Sequence, residues 1–330
     1  MSTGQNIKAS DYNAIRNKVE QILGTGGSVG GIRGYGQPLI SIPVNPEIDI
    51  ITRAQWEGLR RDLINIKIHQ ENPKDSNGNA VVPFVIPIPI DDPVRFGSSH
   101  PNTNFNNLID QLTTTSLQIA DGRSVVSSIP GSPVQRTAPW STKVACEVTV
   151  AFPGYNRPDG YVVSPLNHAR FFFNSGGRIR ISSSRTGGSP TPQNNAWSAL
   201  LVQASIRSMS AKDPAAVNFY SLTPVYQTLY QISSSVPYAA NNYKIEVKGD
   251  DFDVATQVAT KVIFRITWED GYEDTYTPAP PPDLVDGTLS LFVEEFKATG
   301  PVFNSITGNA PTGAWLINSP TYSITDIFDT

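Results

Sequence analysis

Covalent catalysis needs a nucleophile beside a base, and the chain offers one thiol, Cys146, with three histidines, His69, His100 and His168. Cys146 occupies an apolar position of the alternating run Lys143-Val144-Ala145-Cys146-Glu147-Val148-Thr149-Val150, where a small buried hydrophobe is expected. No spacing ties it to a histidine, and neither G-x-S-x-G nor H-E-x-x-H occurs. One cysteine excludes an intrachain disulfide, and one cysteine with scattered histidines leaves too few ligands for a structural zinc site. The carboxylates are the next resource. Asp250-Asp251-Phe252-Asp253 and Glu269-Asp270-Gly271-Tyr272-Glu273-Asp274 close two predicted strands. Such clusters bind calcium or supply the paired acids of glycoside hydrolysis. Neither has the fixed spacing of a calcium loop, so both read as solvated turns. A polysaccharide hydrolase working through Asp251 and Glu273 stays an alternative, with nothing in the sequence to set the distance between the two acids. The glycines from Gly24 to Gly36 follow a helix and lack the closing Gly-Lys-Ser/Thr of a P-loop, so they read as a connection.

The composition narrows the classes further. Charged residues make up 16% of the chain against the usual quarter or so, and 25 Gly with 27 Pro favour turns and extended connections over long helices. A net charge of -4 without a basic cluster argues against a nucleic-acid partner. No window approaches the ~18 consecutive apolar residues of a membrane span, and the polar start MSTGQNIKAS predicts synthesis in the cytoplasm without a cleaved leader.

Two short amphipathic helices open the sequence. The first starts near Ser10, aligns Tyr12, Ile15, Val19 and Ile22 or Leu23, and stops at Gly24. The second starts at Thr52, whose capping-box partner is Gln55, aligns Trp56, Leu59, Leu63 and Ile66, and ends before Asn72-Pro73. Helices this short do not hold alone in water, so their stripes need cover, either as a hairpin or as a bundle with copies of the same chain. On the second reading Tyr12, Ile15, Val19, Leu23, Trp56, Leu59 and Leu63 form an assembly interface. Residues 76–140 are a proline-rich extended arm, because Val81 to Ile90 is apolar yet interrupted by prolines that cannot donate to a ladder, with one short helix near Asn104 to Leu112.

From residue 141 the period becomes two. Besides 143–150, alternation returns in Arg178-Ile179-Arg180-Ile181, Tyr243 to Lys248 and Val262 to Trp268. The fold class is therefore mainly β, with antiparallel β-sandwich-like structure preceded by a helical attachment segment. Four regions result: 1–75 helical, 76–140 arm, 141–275 sandwich, and 276–330 a stiff linker, Tyr276 to Asp283, followed by a β-rich end. Phe171-Phe172-Phe173, placed on a strand, cannot share one face, so at least one should meet another element or another subunit.

SDYNAIRNKVEQILGTGGS followed by GYGQ, together with ITRAQWEGLRRDLINIKIHQ, resembles the start of virion structural proteins of cyanophages with contractile tails. NHARFFFNSGGRIRIS, DLVDGTLSLFVEEFKATG and INSPTYSIT resemble the β-rich part of the same group, and the matching pieces span about a third of the chain. The proline-rich arm departs from the pattern. The resemblance implies a tail fibre or baseplate-attached subunit, located in the virion, with no catalytic residue or cofactor to carry over. It implies self-association, by analogy as a homotrimer, and contact with other tail proteins. A neck protein, or a module that binds host surface polysaccharide through aromatics and calcium, is the alternative.

Overall fold

The computed structural model describes residues 9–25, 34–46, 51–71, 105–114, 124–157, 160–211, 217–272, 284–298 and 317–330. In chain order the elements are α1 (Ala9–Ile22), α2 (Arg53–Glu71), α3 (Phe105–Thr114), β1 (Ser124–Ser128), β2 (Val134–Arg136), β3 (Lys143–Ala151), β4 (Tyr155–Asn156), β5 (Val162–Val163), α4 (Pro165–Asn174), β6 (Arg178–Thr186), α5 (Pro192–Ala204), β7 (Arg207–Met209), β8 (Gln227–Ser233), β9 (Asn242–Phe252), β10 (Ala259–Glu269), β11 (Thr288–Ala298), β12 (Thr321–Ile324) and β13 (Phe328–Asp329). They belong to two compact units with interleaved chain segments. The first comprises Met1–Val125, Gly154–Gly176 and Lys297–Asn318; the second comprises Val126–Pro153, Gly177–Phe296 and Ser319–Thr330.

The first unit is helical. The Thr52 capping box forms as the sequence predicts, with Thr52 N–H donating to Gln55 Oε1 at 2.6 Å and Gln55 N–H to Thr52 Oγ1 at 3.4 Å. Past α1 the chain doubles back, and Gly36 and Gln37 donate to the carbonyls of Gly24 and Leu23. The returning segment lies along both leading helices. Asn13 and Val44 exchange two hydrogen bonds of 2.7 and 3.0 Å, Tyr12 Oη donates to the Ile42 carbonyl at 3.0 Å, and Asp62 of α2 accepts from the backbone of Ile40 and Ser41. Gly58 permits that approach, since a Cβ there would come within 3.3 Å of the Ile40 carbonyl oxygen. The expected helix near Asn104 is α3, which adds Ile109 and Leu112 to the core of α1 and α2.

Helix α4 replaces the strand expected around the three phenylalanines. Ser164 caps it, its side chain accepting from Asn167 N–H, and Pro165 takes the first turn, where a missing N–H costs nothing. On a helix all three rings find cover, and Phe171, Phe172 and Phe173 are all buried. The FFF run therefore asks for no second subunit.

The second unit is the antiparallel sandwich that the alternating runs predict. One sheet has the order β1-β11-β6-β7 with β2 on β11; the other has β12-β3-β10-β9-β8 with β13 on β3. Register places Val144, Cys146, Val148 and Val150 of β3 beside Trp268, Ile266, Phe264 and Val262 of β10. Tyr243, Ile245 and Val247 of β9 continue that face, and all eleven are fully buried. The sheets face each other: Ser183 Oγ of β6 lies 3.1 Å from Tyr243 Oη of β9, and the Arg207 guanidinium of β7 sits 3.6 Å from the Tyr230 ring centroid of β8. Helix α5, capped by Thr191 and opened by Pro192, packs on β6, β8 and β9.

The expected region bounds are revised: the end of the expected arm 76–140 joins the sandwich, where β1 and β2 pair with β11. Residues 276–330 do not form a separate end, because β11 pairs with β6 along nine residues and β12 and β13 pair with β3. The sandwich thus reaches to the last residues, and the helical unit takes in Gly154–Gly176 besides the leading helices. The proline-rich run 81–90, glycines 26–33 and linker 276–283 lie outside the described residues.

Candidate functional site

All seven residues proposed as an assembly interface lie in one intrachain core. Tyr12, Ile15, Val19, Leu23, Leu59 and Leu63 are at most 2% exposed, and Trp56 is half-buried against the same cluster, 5.3 Å edge-on from the Tyr12 ring. Their cover comes from α3 and from Tyr35 and Val44 of the returning segment. The expectation that one copy cannot hide these stripes by itself is overturned: the missing surface comes from the same chain.

The candidate chemical residues are absorbed in packing. Cys146 points into the sandwich, its Sγ 3.2 Å from the Thr325 carbonyl oxygen, and burial pushes its thiol up to about 11, far from a reactive thiolate near neutral pH. His69 is buried against Tyr35 with ring centroids 4.6 Å apart. His168, buried on α4, donates through Nε2 to the Asn318 carbonyl at 2.8 Å and meets the Tyr155 ring edge-on at 5.1 Å. His100 lies outside the described residues.

The first acidic cluster is the turn between β9 and β10. Asp253 accepts from Thr256 N–H at 2.8 Å and Thr256 Oγ1 at 2.7 Å, which holds its carboxyl below the usual range. Asp250 and Asp251 share Lys261 at 3.5 and 3.6 Å. The second cluster splits. Glu269 is exposed, Glu273 and Asp274 lie outside the described residues, and Asp270 turns inward, 7% exposed, to accept from Gln193 Nε2 of α5 at 2.5 Å. Asp270 is not the solvated turn residue that the sequence suggests. Among the described residues no group of three His, Cys, Asp or Glu side chains is placed to hold a metal ion, and no helix is long and apolar enough to cross a membrane.

Polar clusters missed in the sequence tie loops and faces together. On the outer face of the sandwich, Glu147 accepts from Arg265 Nη2 at 2.8 Å and Tyr226 Oη at 2.9 Å. Burial pushes Glu147 up, but these bonds outweigh it and hold the carboxyl below its ordinary value. The Arg265 guanidinium also stacks 4.1 Å from the Tyr226 ring. Asp286 accepts from Ser189 N–H at 3.0 Å, from Ser189 Oγ at 2.7 Å and from Arg185 Nη2 at 3.3 Å, clamping the β6–α5 loop to the start of β11. Glu295, buried on β11, accepts from Ser319 Oγ and Tyr322 Oη, both at 2.9 Å. The ionisable partners sit on distant parts of the chain, so spacing alone did not signal them.

Three of the quoted sequence motifs meet in the helical unit, while two others carry β11 and β12 of the sandwich. Asn174 of the FFFNSGG stretch donates through Nδ2 to the Gly34 carbonyl of GYGQ at 3.2 Å. Gly36, at φ +70°, lies so close to the Phe171 ring that a Cβ would come within 2.3 Å of it, and Arg157 donates to the Gly36 carbonyl. Tyr35 accepts at 2.9 Å from Gln70, which closes the helical motif 51–70 and also bonds the Leu112 carbonyl at 3.0 Å. Comparison of the chain with protein-family models, curated proteins and solved structures finds no match.

Proposed function

We propose that this chain is a structural subunit of the tail of a contractile-tailed phage, a fibre or baseplate-attached component that works by assembly with copies of itself and with other tail proteins. The observation that carries the reading is the junction of GYGQ, FFFNSGG and α2. GYGQ and FFFNSGG, more than a hundred residues apart and quoted for their resemblance to cyanophage virion proteins, touch one another, and GYGQ also touches α2. A likeness that includes mutually contacting core residues supports a shared fold more than one confined to surface loops would.

The chemistry is consistent with such a role. Cys146, His69 and His168 are spent on packing, and the outer face of the sandwich is laced by Glu147, Arg265 and Tyr226. Because Tyr12, Ile15, Val19, Leu23, Leu59 and Leu63 are consumed within one chain, contacts between copies belong on surface outside this core. The expected state is a homotrimer.

Electron microscopy of intact particles carrying a tagged chain tests the assignment. Density for the tag on the tail or baseplate is the expected result. Purified infective particles that lack the chain would refute it, and a tag at the neck would move the protein to the head-to-tail junction. Light scattering of the purified chain reads the copy number, with a strict monomer at all concentrations counting against self-assembly.

A further inference from the structure

We propose that the sandwich encloses a polar chamber beneath the first turns of α5 that binds ordered water. Five residues define it. Gln193 and Trp197 lie one turn apart on α5 and so share a face, while Trp268 and Asp270 point inward from the end of β10 at alternate positions. Asn241 immediately precedes Asn242, which pairs with Glu269, so it stands across from Asp270. Gln193, Trp197, Trp268 and Asn241 are at most 1% exposed.

The orientations of both amides follow from their bonds. Gln193 Nε2 donates to the Asp270 carboxylate, which leaves Oε1 as the other end of that amide. Asn241 Oδ1 accepts from the N–H groups of Gly271 and Tyr272 at 3.2 and 3.0 Å, which leaves Nδ2. Gln193 Oε1, Asn241 Nδ2, Trp197 Nε1 and Trp268 Nε1 are all buried without a protein partner, giving three donors and one acceptor. Folded proteins leave few such groups unpaired, because each would forfeit its hydrogen bond to solvent.

The mix of groups selects the ligand. A cation would have Gln193 Oε1 and the Asp270 carboxylate to coordinate, but the three N–H donors oppose it. An anion meets the donors but also the Asp270 carboxylate. An apolar molecule would leave all four unpaired. Water accepts from N–H and donates to the Gln193 carbonyl oxygen, and since a buried water makes about three hydrogen bonds, about two molecules meet the demand. Contacts of the indole N–H groups with aromatic faces are the competing account, because Trp197 meets Trp140 edge-on at 4.8 Å and Trp268 lies 5.9 Å from Tyr243. That account leaves Gln193 Oε1 and Asn241 Nδ2 unexplained.

The test uses the wild-type full-length chain. A crystal structure at a resolution that shows ordered solvent should place density within hydrogen-bonding distance of Gln193 Oε1 and Asn241 Nδ2. Nuclear Overhauser contacts from long-lived water to the indole protons of Trp197 and Trp268, assigned with Trp197→Phe and Trp268→Phe, should accompany it. A dry chamber, with both indole N–H groups directed at aromatic faces and no water contact in solution, would overturn the proposal.

Discussion

Leu63 is fully buried in the core shared by α1, α2, α3 and the returning segment, so Leu63→Ala should destabilise the helical unit as an internal cavity does. Truncating a buried leucine removes its transfer free energy and leaves a partly collapsed void, together about 2–5 kcal/mol. At 1.4 kcal/mol per tenfold, the opening equilibrium should rise by roughly 30-fold to a few thousandfold. Amide hydrogen exchange followed by mass spectrometry reads this directly on the peptides covering α1 and α2. The decisive variable is protein concentration. An intrachain core gives the same protection in wild type, and the same loss in Leu63→Ala, at every concentration. An interface between copies would instead stabilise the helices by mass action, about 2.7 kcal/mol when the partner is at a hundredfold excess over its dissociation constant. Wild-type protection of α1 and α2 that climbs with concentration, or a Leu63→Ala variant that loses mass in light scattering while its exchange stays unchanged, would refute the packing argument. Such a result would return Tyr12, Ile15, Val19, Leu23, Trp56, Leu59 and Leu63 to the assembly surface.

Burial pushes the Asp62 carboxyl up to about 6, against the opposing bonds from Ser41 and Ile40. The folded state then holds a proton that the unfolded chain has released between about pH 4 and pH 6. Its stability contribution is full below that window and is lost as pH rises through it, on the order of 3 kcal/mol; the difference between wild type and Asp62→Asn in urea titrations across pH 4 to 7 should carry this slope, and its absence would contradict the raised value. Cys146 should react with a thiol reagent only when denaturant opens the sandwich, since burial holds its thiol at about 11; prompt labelling of the native protein would show the β3 position to be accessible. Gly36→Ala combines a left-handed backbone, costing about 1–2 kcal/mol, with a Cβ forced against Phe171. A clear fall in thermal stability with faster exchange in α4 is expected, and an unchanged melting curve would remove the GYGQ–FFFNSGG junction as a packing determinant.

The strands were legible where each has one wet and one dry face. Val144, Cys146, Val148 and Val150 alternate with outward Glu147 and Thr149 because the sheet's outer side carries ion pairs such as Glu147 with Arg265. Helices α4 and α5 escaped that reading because Phe171-Phe172-Phe173 and Ala199-Leu200-Leu201 are apolar on every side, so no period shows. Their start signals were nevertheless present as Ser164-Pro165 and Thr191-Pro192, a cap followed by a proline in the first turn. The alternation read from Val262 to Trp268 stops short of Asp270. Two further residues put it on the inward face, yet only α5, distant in sequence, supplies the Gln193 that meets it there.

The same locality limits the reading of α1 and α2. Their apolar stripes reveal how much surface must be covered, and the periodicity identifies the residues correctly, but periodicity does not say which chain provides the cover. Tyr35, Val44, Ile109 and Leu112 do so here, from a glycine-led segment and a short helix whose contribution depends on pairings across the chain. Under the proposed role, a subunit built this way keeps its helical core closed before it meets a neighbour. Contacts between copies would, on that proposal, form without unfolding Tyr12 or Leu63 from their sites.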